Sequence, residues 1–405
     1  MISVDEALGK ILDAIPVLAP EQVNIASALG RVLAEDVVSR VTQPPNDVSA
    51  MDGYAVRASD TTSGSAQLRV VGEAPAGGSY PDTLNAGEAV RIFTGGPVPL
   101  GADSIVMQEN TERASEEIVI INETAEKGRF IRAAGLDFSE GKVLITKGKS
   151  LTARDISLAA AMNVPWLMVY RRPKVAILAT GDEVVMPGDP IGPNQIVSSN
   201  SLGLAATVQA LGGEPILLGI APDDEQSLRN MAAGAAGADL LVTTGGASVG
   251  DHDLIQKVLG DVGLEVNFWR IAMRPGKPLI FGAINGTPMI GLPGNPVSTM
   301  VCALVYMVPA INKMMGLVGV DAGYSSAKLA TSLGANDQRQ DYLRATLSEN
   351  DDGTISVTPF HKQDSSMLSL LSQSDALVMR PPFADAAKTG DTVKILRFPN
   401  SRTQI

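Results

Sequence analysis

The stretch Asp239 to Asp253, DLLVTTGGASVGDHD, constrains what this chain can fold into more than any other. Asp239 to Thr244 is short, continuously apolar and β-branched, the pattern of a strand buried on both faces of a parallel sheet. Gly245 and Gly246 end it, and with Ser248 and Gly250 they make a turn whose backbone can come close to a ligand. A helix is expected from near Asp253, and its unpaired N–H groups would point at the same place, which favours an anion. Asp251 and Asp253 repel an anion unless a metal ion or a positive ligand group lies between. The stretch reads equally as a strand–turn–helix junction with solvated caps.

From Arg171 to near Gly316 the rhythm is that of an α/β unit. KVAILAT is a strand ending at Gly181-Asp182-Glu183, Ser201 to Leu211 a helix, PILLGI a strand and Asp224 to Ala236 a helix. Beyond the glycine turn come a strand to Ile271, the loop MRPGKP, the strand PLIFGAI, and PMIGLPGNP leading into a helix from Val297. Open parallel sheets bind ligands at the carboxyl ends of their strands. That rule gathers Glu183, Asp223, the glycine turn, Arg270 to Lys277 and Asn295 at one edge.

The flanks differ. Ser3 and Glu6 have the spacing of a capping box, and Ala7, Leu8, Ile11, Leu12 and Ile15 share a helical face that ends before Pro16. A shorter helix is expected from Ala26 to Leu33. After Pro44-Pro45 the runs LRVVG, AVRIF, SIVMQ, EIVII and KVLI alternate with turns, predicting a β-rich domain. Leu151 to Met162 returns to helix, with Thr152 and Asp155 at a capping spacing, so the β-rich domain reads as an insertion. TKGKS, at 146–150, resembles the end of a phosphate-binding P-loop, but the required first glycine falls on Val143. After Gly323 the runs KLATSL, YLRATLS, TISVTPF, ALVMR and TVKILRF predict a β-barrel or sandwich of about 80 residues.

Composition narrows the partners. A chain of 405 residues exceeds one ordinary core. Its net charge of −12 opposes nonspecific binding to nucleic acid or anionic membrane, so neither is expected as a partner. One cysteine, Cys302, excludes a disulfide framework or zinc knuckle and reads as a small buried hydrophobe. Two histidines, His252 and His361, exclude a His-rich metal site. No secretion signal opens the chain. The longest apolar run, Val297 to Val308, lies between Pro296 and Pro309 and is shorter than the roughly 20 residues a membrane span needs. A soluble, cytoplasmic protein is expected, whose chemistry rests on carboxylates, hydroxyls, Lys and Arg.

Glu183, Asp223, Asp251 and Asp253 are carboxylates that the strand-end rule brings to one edge. Mg²⁺ takes a few carboxylates plus substrate phosphate oxygens, so a Mg²⁺-assisted phosphoryl or nucleotidyl reaction is chemically coherent. Helix capping and turn solvation are the alternative, with Asp224 the clearest cap. Arg270, Arg274 and Lys277 suit an oxyanion or phosphate, or else form a surface ion-pair cluster. Thr94 and Ser365 are loop hydroxyls that read as turn residues until something places them in a cleft. Met300, Met307, Met314 and Met315 recur near helical spacing and read as core.

The motifs SAMDGYAVR, IFTGGPVPLGAD, ATGDEV, TTGGASVGDHD, MRPGKP and GLPGNPVS, in that order along practically the whole chain, resemble the molybdopterin molybdenumtransferases of the MoeA type, whose eukaryotic relative is the C-terminal part of gephyrin. The resemblance implies a multidomain α/β plus β architecture. Its parts are a discontinuous helical segment (1–45 and 138–170), an inserted β-rich domain (46–137), a molybdopterin-binding three-layer α/β/α domain (171–318) and a C-terminal β-barrel (319–405). It implies a homodimer, with the cleft between the α/β domain of one subunit and the inserted domain of the other, and transient contact with other molybdenum cofactor biosynthesis proteins. The activity implied is insertion of molybdate into adenylylated molybdopterin with Mg²⁺-dependent release of AMP. Asp223 and Asp253 would serve Mg²⁺ and the nucleotide phosphate, and Glu183 the molybdopterin side. Gly245, Gly246, Ser248 and Gly250 would cradle the pterin phosphate, with Lys277 and Asn295 on the substrate. Arg270 and Arg274 would meet the oxyanion, where relatives often carry Lys. Asp52, Thr94 and Asp137 would come from the partner subunit, and Arg344 and Ser365 from the barrel. His252 is given no role. A gephyrin-like scaffold, or a molybdopterin-binding protein without catalysis, is the alternative.

Overall fold

The computed structural model describes residues 1–245, 264–317 and 323–398. Gly246, Ser248, Gly250, Asp251, His252, Asp253 and the helix expected from Asp253 lie outside the described residues.

The central sheet has the spatial order Glu214–Ala221, Lys174–Thr180, Leu240–Thr244, Thr287–Leu292, Pro278–Ile284, Leu264–Arg270. The first four strands are parallel; Pro278–Ile284 alone is reversed, so Leu264–Arg270 at the edge runs in the same direction as the first four. Alternation along the strands explains the layers. Val175, Ile177 and Val242 face a core shared with Leu204 and Val208 of helix Asn200–Ala210 and with Val297 and Val301. Ala176, Leu178 and Leu241 face the opposite side, against Met231 of helix Glu225–Ala233 and Ala235. Both faces are covered, and every residue of Leu240–Thr244 is buried, as its unbroken apolar character requires. This is the three-layer α/β/α arrangement.

The helix after GLPGNP does not stop at Pro309. Proline lacks an N–H and its ring crowds the preceding turn, but a π-helical turn over Ala303–Met307 widens the helix just before it. The helix therefore spans Pro296–Met314, 19 residues with a mean hydropathy of 1.4, and 67% of that stretch is buried in the protein core. The expectation of a short apolar run ending at Pro309 is thus corrected: the helix is long and apolar enough to cross a membrane by composition, and here it is a core helix. Cys302, Tyr306 and Met307 along it are fully buried, and burial pushes the Cys302 thiol far up. The N-terminal helix Val4–Ala14 is capped by Ser3, whose Oγ accepts the Glu6 N–H at 3.1 Å. It packs Val4, Ala7 and Ile11 into the same core, and Lys313 donates to the Leu12 carbonyl.

The expected helix from Ala26 to Leu33 is a single 3-10 turn, Ile25–Ser27. Val32 and Leu33 then run extended, bridging Ser150 and Val169. Both side chains are buried, and a weak helical propensity yields to that pairing. Helix Ala153–Ala161 is capped as its spacing suggests, Asp155 Oδ2 accepting from the Thr152 N–H at 2.9 Å and its hydroxyl at 2.8 Å. The chain leaves this region through Val37–Val38 and returns through Val143–Ile145, which pair antiparallel. Between them lies a six-stranded sheet running from Gly53–Val56 to Ile118–Ile121 in sequence. At the other end, Gln340–Glu349, Ile355–Pro359, Tyr324–Leu329, Thr392–Arg397 and Ala376–Arg380 close into a five-stranded barrel, because the first and last pair with each other. Met273–Arg274 pairs with Gln340 and Asp341, joining the MRPGKP loop to the barrel.

Gly276 in that loop has φ 110°, and a Cβ there would lie 2.3 Å from Cys302 Sγ. Gly276→Ala is expected to cost about 2–4 kcal/mol and to lower the calorimetric unfolding midpoint. Adding Cys302→Ala should recover part of the loss, and an unchanged midpoint in the single variant would contradict the close approach.

Candidate functional site

The carboxyl ends of Lys174–Thr180, Leu240–Thr244 and Thr287–Leu292 open into a cleft of about 390 Å³, lined by Thr180, Glu183, Asn200, Thr244, Gly245, Asn295 and Ser298 among others. Two glycines allow it. Gly245, at φ 96°, could not carry a Cβ without meeting the Thr180 carbonyl at 2.4 Å. Gly181, at φ 133°, lets the Glu183 carboxylate fold back over the turn, 2.5 Å from where a Cβ would stand. Asn295 holds the N-cap position of helix Pro296–Met314 without a side-chain cap bond; Pro296 has no N–H and that of Val297 is taken by the Ser365 carbonyl, so it is the helix dipole that makes this wall of the cleft positive.

Sequence reasoning missed Asn200. Its Nδ2 donates to Thr244 Oγ1 at 2.9 Å and to the Gly294 carbonyl at 2.7 Å, tying one strand end to the loop before the long helix. The Asn200 Oδ1 and the Thr180 hydroxyl are buried and have no hydrogen-bond partner among the described residues. The signal was present as SSNS, at 198–201, a run of hydrogen-bonding side chains opening a helix at the strand-end edge.

Asp223 follows strand Glu214–Ala221 and stands beside Asp182, each carboxylate accepting the other's backbone N–H, at 3.4 Å and 3.1 Å. Among the described residues no group of three or more His, Cys, Asp or Glu side chains is arranged for a metal ion. Asp224 is a cap, accepting the Ser227 N–H at 2.8 Å, and those hydrogen bonds hold its carboxyl below the ordinary value.

The barrel reaches this edge through one loop. Ser365 Oγ accepts from Asn295 Nδ2 at 3.1 Å, and its carbonyl accepts the Val297 N–H at 3.1 Å. Arg344 does not line the cleft. It is 1% exposed, and its guanidinium donates to the carbonyls of Met367 and Asp364, both at 2.9 Å.

Comparison with known proteins agrees with this geometry along the entire chain. The MoeA N-terminal region (domain I and II) matches residues 2–163, a probable molybdopterin binding domain matches 176–313, and the MoeA C-terminal region (domain IV) matches 326–398. A molybdopterin molybdenumtransferase of Nostoc sp. is 36% identical, over 98% of this chain and 94% of its own. One from Haemophilus influenzae is 35% identical, over 98% and 99%. The chain belongs to the molybdopterin molybdenumtransferase family. The crystal structure of the molybdopterin biosynthesis MoeA protein from Pyrococcus horikoshii superposes with a TM-score of 0.87 at 33% identity, covering 99% of this chain and 100% of that one. A gephyrin of Dictyostelium discoideum is 31% identical over 98% of this chain and 62% of its own length.

Within the MoeA frame the cationic loop divides. Arg270 ends its strand opposite Pro278, a cleft-lining residue, and Lys277 is exposed immediately before it. Arg274 turns to the barrel instead. It pairs with Asp341, with Asp337 at 3.1 Å and with Asn336 Oδ1 at 3.2 Å. Three acceptors in a fan suit a planar fork better than a Lys point charge. Asp341 is 4% exposed, and burial pushes its carboxyl up even beside this arginine.

Asp52 and Thr94 meet at one end of the inserted sheet, and Asp137 lies in a separate bend after strand Ile131–Arg132. Asp52 Oδ1 accepts from the Thr94 N–H at 2.7 Å and its hydroxyl at 2.8 Å, while the Asp137 N–H donates to the Gln43 carbonyl at 3.0 Å. All three are exposed, and among the described residues no hydrogen bond links them to the cleft. The Thr94 hydrogen bonds, with Arg91 nearby, hold the Asp52 carboxyl below the usual range. Its ionised form is thus favoured, and that preference is lost only as pH falls through the lowered value. In Thr94→Val, which keeps the backbone N–H but loses the hydroxyl, the Asp52 carboxyl should titrate at somewhat higher pH in a carbon-detected NMR titration; an unmoved midpoint would remove the Thr94 hydroxyl as a cause.

Proposed function

We propose that this transferase of molybdenum cofactor biosynthesis takes adenylylated molybdopterin and molybdate, releases AMP with the help of Mg²⁺, and leaves molybdenum on the dithiolene sulfurs. The observation that carries the reading is the cleft, with a helix N-terminus on one wall and Glu183 in its lining, in a chain of this family; Asp223 lies just beyond the end of the neighbouring strand, against Asp182. Anionic phosphate oxygens suit the first wall, and the turn at Gly245 admits them without a side chain in the way. Arg270, opposite cleft-lining Pro278, and Lys277 beside it would meet molybdate, with Ser365 and Asn295 adding hydrogen bonds.

Asp223, Asp182 and Asp253 would hold Mg²⁺. Neighbouring carboxylates completed by substrate phosphate oxygens match the oxygen-rich set this ion takes, and it would offset charge on the phosphate from which AMP departs. The acids themselves orient substrate and keep the nucleotide end away from the positive wall.

A homodimer in the cytoplasm completes the reading. The exposed Asp52, Thr94 and Asp137 would complete the cleft of a second copy, with the chain divided near residues 46, 138, 171 and 319 and other cofactor-biosynthesis proteins as transient partners. The likeness to gephyrin makes a binding or scaffold role without catalysis the second reading.

The assay is AMP release from adenylylated molybdopterin by the purified protein. Release is expected only with molybdate and Mg²⁺ together, lost in Asp253→Ala and reduced at least about tenfold in Asp223→Asn. Substrate binding with no AMP release under any divalent metal would favour the non-catalytic reading, and full activity in Asp253→Ala would remove that carboxylate from the mechanism.

A further inference from the structure

We propose that Arg344 is a positioning residue for Ser365: from behind the barrel wall it fixes the loop that presents this hydroxyl at the cleft, and it touches no substrate itself. The inference rests on the function proposed above and concerns how one hydroxyl of that site is held.

Arg344 lies within strand Gln340–Glu349 with 1% of its surface exposed. Its Nη1 donates to the Met367 carbonyl at 2.9 Å, and its Nη2 to the carbonyls of Asp364 at 2.9 Å and Lys362 at 3.5 Å. Its Nε donates to Gln363 Oε1 at 3.3 Å. A guanidinium has five N–H donors, and these bonds leave no open fork for a bidentate anion. Gln363 completes the tie. It accepts the Arg344 N–H at 3.0 Å, and its Nε2 donates back to the carbonyls of Arg344 at 3.0 Å and Phe360 at 2.9 Å.

Burying a cation on carbonyls, with no salt-bridging carboxylate among the described residues, is costly. The Asp364 carboxylate is near enough to be felt electrostatically, but its hydrogen bonds go to the Ser366 N–H at 2.9 Å and the Ser366 hydroxyl at 2.6 Å. What the arrangement secures is the path of residues 360–367. That path ends on the long helix, where the Ser365 carbonyl takes the first-turn N–H of Val297 at 3.1 Å and Oγ takes a hydrogen bond from Asn295 at 3.1 Å. With one lone pair used by cleft-lining Asn295, the Ser365 O–H, for which no acceptor appears among the described residues, is left to donate to an oxyanion bound beside Asn295. A displacement of about 1 Å is enough to spoil such a contact.

The test compares Arg344→Lys, Ser365→Ala and the double variant in the intact protein, assayed for AMP release with molybdate varied. Each single change should lower kcat/KM for molybdate about tenfold, and the double should be no worse than the poorer single within about twofold. Multiplying effects would mean that Arg344 contacts the ligand, and would overturn the proposal. Hydrogen exchange gives a readout apart from activity: the Val297 amide and residues 362–367 should exchange faster in Arg344→Lys and not in Ser365→Ala. Unchanged exchange in Arg344→Lys also overturns it. Should Arg344→Lys fail to fold, Gln363→Met carries the same two measurements with the same expectations. A wild-type protein that releases no AMP would defeat the function proposed above, while the exchange experiment would still decide the role of Arg344.

Discussion

Helix Pro296–Met314 is the member against which the rest of the described structure is set. Its flank takes the N-terminal helix and one face of the central sheet, its Cys302 meets the Gly276 turn, and its first turn receives both Asn295 and the Ser365 loop. Full burial of side chains such as Val301, Met307, Ile311 and Met314 contributes about 1.5–3 kcal/mol each, so this contact dominates locally. The site inherits its rigidity. A cleft wall made by the end of a packed helix moves only if the core moves.

Charge is sorted rather than averaged. The chain carries a net −12, yet the cleft is walled on one side by the N-terminal end of a helix and holds Glu183 in its lining, while Asp182 and Asp223 meet beyond the ends of two neighbouring strands. A substrate with both phosphate oxygens and a coordinated cation would find a partner on each side. Arginines away from the cleft work differently. Arg274 joins the loop to Asp341 and Asp337, and Arg344 holds carbonyls of the 362–367 loop on the outer face of the barrel, so both act on the relation between the α/β layer and the barrel.

The strand-end rule, applied to glycine breaks and apolar runs, placed Glu183, Gly245 and Asn295 along one edge, and the structure puts all three on the cleft. Those residues are legible because local backbone demands and burial patterns fix them. Where neighbouring segments decide, the reading was poorer. Val32 and Leu33 are extended because they pair with distant Ser150 and Val169, and Pro309 lies inside a helix because a π turn makes room for it.

By itself the sequence determined the α/β layer, the β-rich insertion, the barrel strands and the polar edge, since periodicity, glycine breaks and caps act over a few residues. Only the tertiary structure decided what each long polar side chain does. Arg274, Arg344 and Asn200 each have several reachable partners, and which they meet depends on the packing of strands and loops from 18 to 94 residues away in the chain. A charged or amide group shows its chemistry in the sequence, but its direction is set by segments that come together only on folding.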